Sequence, residues 1–218
     1  MTELDVRKEI IATAREMNAC GLNQGTSGNV SARWGEQVLI TPSGVPYDAC
    51  RPDMIAALKI NGEGAYEGPC RPSSEWRFHL ALHESRTDVD AVVHAHPTYC
   101  TSLAMARKPI PAAHYMIAAF GGNSVEVADY ALFGSDELSN AVLQAMEGRY
   151  GCLMANHGMC CVGESLSKAL WRAVELETLA RQYVHSLNLG GPVLLSDAET
   201  AEAAEQFEGY GPASPTPR

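Results

Sequence analysis

The chain has 218 residues, 46% of them hydrophobic and 19% charged, with a formal net charge of -10. That length fits one domain with an ample core, and the acidic balance offers no basic face to a nucleic acid. It leaves room for a small anionic ligand, because a few local donors can hold a phosphate inside an acidic protein.

In chain order, Thr2 with Asp5 three residues on reads as a helix start, and Leu4, Ile10, Ile11, Ala14 and Met17 supply an apolar stripe that Gly21 can close. Gly25-Thr26-Ser27-Gly28-Asn29-Val30-Ser31 is a turn feeding a strand. Val38 to Thr41 is a second strand, and Met54 to Ile60 a third that closes on Asn61-Gly62. Ser73 or Ser74 is placed to cap a helix running to about Glu84, with Glu75 in its first turn. Ala91-Val92-Val93-His94-Ala95-His96-Pro97 is β-branched and apolar, hence a strand. A loop with Pro109 and Pro111 leads to His114-Tyr115-Met116-Ile117 and a Gly121-Gly122 break. Ser135 opens a helix with Leu138, Val142 and Met146 inward. Cys152 to Val162 reads as two short strands around Asn156-His157-Gly158. Ser165 to about Leu189 is the longest helix, with Leu166, Leu170, Ala173, Leu176 and Ala180 inward, stopped by Gly190-Gly191. Ser196 with Glu199 is a capping box for a last helix. No repeat and no linker interrupts this order, so the expected architecture is one α/β domain over 1–210, a sheet covered by helices, with a Pro-rich, flexible tail over 211–218.

The seven cysteines, Cys20, Cys50, Cys70, Cys100, Cys152, Cys160 and Cys161, are odd in number, irregularly spaced and contain no Cys-x-x-Cys. They read as reduced, buried thiols. Met1 to Met17 carries Glu3, Asp5, Arg7, Lys8 and Glu9 and lacks the apolar core of a signal peptide, and no segment approaches the length of a membrane span. The expected compartment is the cytoplasm, with no membrane partner.

The histidine strand carries the strongest chemical signal. Side chains two apart on a strand share a face, so His94 and His96 stand close enough to hold one ion. His157 is a third candidate, and three histidines with an open fourth position suit a catalytic zinc, with manganese, cobalt or iron as alternatives. The hydroxyl- and glycine-rich runs Gly25–Asn29 and Thr41–Gly44 can offer donors to a phosphate, yet match neither a P-loop nor a dinucleotide fingerprint. Ser73 and Ser74, at a helix N-terminus, are a third candidate anchor. Glu75 is either a helix-dipole partner or a general acid/base. His79, His83, His114 and His185 read as structural or exposed, and the side chains of Cys160 and Cys161 should diverge.

Taken together these runs resemble the class II aldolase/adducin family. The matching segments are Gly21 to Ser31, Leu39 to Gly44, Ser73-Ser74-Glu75-Trp76-Arg77-Phe78-His79, Val92 to His96, His114 to Ala119 and Asn156-His157-Gly158, in one order over about residues 4 to 211. The Ser-Ser-Glu-Trp-Arg-Phe-His and His-Tyr-Met-Ile-Ala-Ala runs are like those of the L-fuculose-1-phosphate-cleaving branch. The resemblance implies a three-layer domain, a mainly antiparallel sheet flanked by helices, assembled as a homotetramer with active sites at subunit borders. It implies zinc on His94, His96 and His157, proton transfer by Glu75, and Tyr115 and Tyr210 reaching in from a neighbouring subunit. It implies a substrate phosphate held by Asn29, Ser43, Gly44, Ser73 and Ser74 with the backbone of Thr26, Ser27 and Gly28. The implied reaction is reversible cleavage of a ketose 1-phosphate into dihydroxyacetone phosphate and a small aldehyde such as lactaldehyde. Ala95, Pro97 and Asn156 depart from the commonest residues of that branch. The alternatives are the same chemistry on 5-deoxyribulose or 5-methylthioribulose 1-phosphate, a pentulose-phosphate epimerase, a methylthioribulose-1-phosphate dehydratase, or a non-enzymatic adducin-like interaction module.

Overall fold

Val92 and Val93 are neighbours in sequence but face different hydrophobic cores, as do Cys160 and Cys161. That period of two is the signature of strands buried on both faces. A computed structural model describes residues 1–207, so the tail and Tyr210 lie outside the described residues. The elements in order are α1 (Glu3–Ala19), β1 (Asn29–Trp34), β2 (Gln37–Ile40), β3 (Ala56–Lys59), β4 (Tyr66–Glu67), α2 (Trp76–Ser85), β5 (Ala91–Ala95), α3 (Thr98–Met105) and β6 (Ile110–Pro111). A 3-10 helix over Tyr115–Phe120 follows, then β7 (Ser124–Val125), β8 (Val127–Ala128), α4 (Asp136–Ala145), β9 (Gly151–Met154), β10 (Gly158–Gly163), α5 (Leu166–Leu187) and α6 (Asp197–Phe207).

Eight strands form one sheet in the order β4-β3-β2-β1-β5-β10-β9-β8. Every pairing in it is antiparallel except β8 with β9. Helices α1, α3 and α5 cover one face, α2 and α4 the other, giving the expected three layers. No helix among the described residues is long and apolar enough to cross a membrane.

Local chemistry explains most boundaries. Thr2 and Asp5 form a full capping box on α1, and Ser135 and Ser165 cap α4 and α5. Leu4, expected in the α1 stripe, is half exposed in the first turn, and Val6 supplies the contact instead. The start of α2 also differs from expectation. The Ser73 N–H is tied to the Thr41 carbonyl at 2.9 Å and Pro42 bridges Pro72, which holds Ser73 outside the helix, with Ser74 and Glu75 in the turn that precedes it. Glu75 therefore takes the cap position, with φ -102° and ψ 15°, outside the first turn. Helix α3 had no sequence signal, since Thr, Tyr, Cys and Ser are modest helix formers. Its start is capped from outside: the Glu177 carboxylate on α5 accepts the Tyr99 and Cys100 N–H groups at 2.9 and 2.8 Å.

Leu176 is fully buried on α5 beneath the central strands. Leu176→Ala should destabilise the fold by about 2–5 kcal/mol, read as a lower urea midpoint with an unchanged slope.

Candidate metal centre

Strand β5 and the β9–β10 turn bring three imidazoles together. His94 is fully buried at the end of β5 and His96 follows two residues on. His157 sits in the turn after Asn156, whose φ of 55° is left-handed, a conformation asparagine tolerates. The ring centroids of His94–His96, His94–His157 and His96–His157 are 4.8, 4.9 and 4.9 Å apart. Glu75 completes the group, with Oε2 3.1 Å from His94 Nε2 and Oε1 3.1 Å from His157 Nε2. One ligand atom from each of the four residues lies within 4.8 Å of the others.

The hydrogen bonding suits a cation. His94 Nδ1–H donates to the Met159 carbonyl at 2.8 Å, so the Nε2 lone pair faces the cluster. His94 Nε2 and His96 Nε2 stand 2.9 Å apart, a hydrogen bond when either nitrogen carries a proton and a shared face toward a cation when neither does. Glu75 Oε1 is buried and makes no well-directed hydrogen bond, despite its contact with His157. Burial alone would raise the Glu75 pKa, but the His94 charge and the close approach of His157 and His94 outweigh it and hold the carboxyl well below its usual range. His94 moves the opposite way: burial opposes its charge, Glu75 overrides it, and its pKa rises. His96 is pushed down to about 3 by burial and by the other two histidines. The cluster thus favours positive charge facing Glu75 and neutral imidazole at His96. Three imidazoles and a carboxylate oxygen form the donor set of a divalent ion of zinc type.

The candidate phosphate donors fall into two groups. Asn29 is buried opposite His94 in the β1–β5 ladder, and its Nδ2 donates to Glu75 Oε2 at 3.0 Å. Ser73 is buried too, its Oγ accepting the Glu75 N–H at 3.3 Å. Ser43 joins them through its N–H to the Arg71 carbonyl at 3.0 Å, which sets the Ser43-Gly44 turn beside the Ser73-Ser74 segment. Thr26, Ser27, Ser43, Gly44 and Ser74 are solvent-facing. Gly28 lies against the centre's backbone, where a Cβ would stand 2.6 Å from the His94 carbonyl oxygen.

Tyr115 is elsewhere. It is 55% exposed and lines a cavity of about 670 Å³ with Trp171, Glu175 and Phe207, and none of the four centre residues lines that cavity. The residues that sequence reasoning missed are His79, His83 and Ser31. Both histidines are buried, and they contact Asn29 and Ser31. The available signal was two complementary spacings: polar Asn29 and Ser31 two apart on a strand, and His79 and His83 four apart on a helix.

The family model for the Class II Aldolase and Adducin N-terminal domain matches residues 8–184. A protein of Escherichia coli O6:H1 called L-fuculose phosphate aldolase is 48% identical over 205 residues, 94% of each chain. One from Rhodospirillum rubrum, called 5-methylthioribulose-1-phosphate/5-deoxyribulose-1-phosphate aldolase, is 46% identical over 210 residues, 96% of this chain and 94% of that one. A solved structure of an L-fuculose 1-phosphate aldolase superposes with a TM-score of 0.90 at 40% identity, covering 94% of this chain and 96% of the other.

Two substitutions test the centre. His96→Ala removes a ligand while sparing the His94 and Glu75 network, and metal analysis should show most of the bound ion lost. Gly158→Ala should do likewise without touching a ligand, because its Cβ would fall on the Ala95 carbonyl and 2.6 Å from His96 Cδ2. Full metal content in both variants would refute the assignment.

Proposed function

The chain belongs to the class II aldolase/adducin family, and we propose that it is a lyase that reversibly cleaves a ketose 1-phosphate of the L-fuculose 1-phosphate type. The products in this reading are dihydroxyacetone phosphate and a small aldehyde such as lactaldehyde. One observation carries it: a buried Glu75 carboxylate stands 3.1 Å from two members of a three-histidine cluster, in a chain 48% identical to a protein called L-fuculose phosphate aldolase.

His94, His96 and His157 would hold a divalent ion, zinc in this reading, whose chemistry is Lewis-acid stabilisation of the charge that carbon–carbon cleavage leaves on the ketose oxygens. The chain's own groups do the rest. The C4 hydroxyl gives up its proton with Tyr115, or Tyr210, as the group that handles it. The electron pair of the C3–C4 bond returns to C3, and C3 takes a proton that Glu75 first picks up from solvent, matching the one released from the C4 hydroxyl. In the condensation direction Glu75 removes that proton, which needs the ionised form that its neighbours favour. The phosphate is held by Asn29, Ser43, Gly44, Ser73 and Ser74 with the backbone of Thr26, Ser27 and Gly28, which fixes the reacting carbons. Tyr115 lines a cavity apart from the centre. This separation supports a shared site in which Tyr115 serves a neighbouring subunit of a homotetramer. All seven cysteines are free, in keeping with a cytoplasmic setting.

A second substrate reading has its own support. The relative called 5-methylthioribulose-1-phosphate/5-deoxyribulose-1-phosphate aldolase is 46% identical, against 48%, too small a difference to rank the aldehydes. A panel of 1-phosphoketoses varying in chain length, C4 configuration and terminal group, coupled to detection of dihydroxyacetone phosphate, separates the two. No release from any member of the panel by metal-loaded protein would sink the aldolase reading.

Glu75→Gln should keep metal and fold but lose about 10²–10⁴-fold in turnover. Near-normal turnover would leave Glu75 as a helix-dipole partner only. Tyr115→Phe should slow cleavage with metal content and assembly unchanged. Mixing it with inactive His96→Ala subunits should restore part of the activity, because some borders then pair an intact His96 with an intact Tyr115.

A further inference from the structure

Behind the Glu75 carboxylate runs a row of buried polar groups, Asn29, His79, Ser31 and His83, of which the reaction as described uses only Asn29. Glu75 Oε2 accepts from Asn29 Nδ2 at 3.0 Å, and Asn29 Oδ1 meets His79 Nε2 at 2.5 Å. His79 Nδ1 meets Ser31 Oγ at 2.7 Å, Ser31 Oγ meets His83 Nε2 at 3.0 Å, and His83 Nδ1 stands 3.3 Å from the Val89 carbonyl. Asn29, Ser31, His79 and His83 are 3%, 0%, 0% and 1% exposed, so these contacts are shielded from bulk solvent.

The protons can be assigned by elimination. An ionised carboxylate only accepts, so the Asn29 amide turns its NH₂ to Glu75 and its oxygen to His79. That oxygen also only accepts, so His79 Nε2 carries a hydrogen. Burial, then the charge of His94, keeps His79 neutral, which leaves a lone pair on Nδ1. Ser31 must donate its hydroxyl proton there and accept from His83 Nε2. His83 is likewise neutral, its pKa pushed down to about 3 by burial and Arg33. One contact must then go without a hydrogen, and it is the longest, at Val89.

We infer that His79 is a positioning residue: as the Nε2–H tautomer it locks the Asn29 amide in the orientation that aims the Glu75 carboxylate at its proton-transfer task. This inference rests on the aldolase reading of Glu75. Packing alone would not require a defined tautomer, nor a donor at that one ring nitrogen.

The test compares two amides. Glutamine places its amide nitrogen near the Nε2 position and asparagine near Nδ1. With wild-type-like metal content, His79→Asn should lose about 10–100-fold in kcat, the usual cost of a supporting contact, at unchanged KM. His79→Gln should recover most of that loss. Equal kcat in the two variants, or losses that merely follow their melting temperatures, would overturn the inference while the aldolase reading stands. A wild-type protein that binds metal but cleaves no ketose phosphate would remove both. Should His79→Asn not fold, ¹⁵N spectra of the wild-type imidazoles decide: a proton on His79 Nε2 is expected, and one on Nδ1 instead refutes the role.

Discussion

A carboxylate withdrawn from water and set 3.1 Å from two imidazole nitrogens is the most demanding arrangement in this molecule. Burial works against the charge of Glu75 and of His94 alike, and only mutual attraction and hydrogen bonds offset it. Each partner is fixed from behind: His94 by the Met159 carbonyl, Glu75 by Asn29 and by the Ser73 hydroxyl on its own N–H. Groups held this firmly need little reorganisation when charge develops nearby, which is where electrostatic catalysis draws its strength.

The sheet makes that firmness affordable. β5 lies between β1 and β10, so Asn29 and Cys160 both oppose His94 across the ladder. Along this face the pattern changes from apolar at Val92 and Val162 to polar at Ser31, Asn29 and His94. Helix α2 matches the change, with Phe78 and Leu82 in the apolar core and His79 and His83 over the polar positions. One helix thus closes both the core and the back of the site. Removing a single polar member would leave a buried partner unsatisfied, the expensive kind of loss.

Much of this was legible in the sequence. His94 and His96 declared themselves by a spacing of two in a β-branched run, and the caps at Thr2, Ser135 and Ser165 by local chemistry. What escaped depended on partners distant in the chain. Helix α3 is capped by Glu177, 77 residues away. The roles of His79 and His83 appear only when α2 is laid over β1, 48 and 52 residues away. The expected start of α2 differs because a bridge from Pro42 to Pro72 holds Ser73 outside the helix, and no window of local sequence contains both prolines with their pairing.

The misplaced helix start also resolves an apparent choice. As a dipole partner, Glu75 would sit in the first turn and its function would be stability. As a proton-transfer group, it would need freedom to face a substrate carbon. At the cap position, with φ -102° and ψ 15°, Glu75 is at the boundary: its backbone belongs to the loop, and α2 opens at Trp76, whose N–H reaches the Ser73 carbonyl at 3.1 Å. The helix end favours the ionised carboxylate, and the proposed reaction needs that same ionised form in the direction that removes a proton. Stability and chemistry therefore ask for one charge state, and the pKa displacement toward it comes chiefly from the histidines that would carry the metal. The position of the cap, beside the Pro42–Pro72 bridge, is what couples the fold to the site.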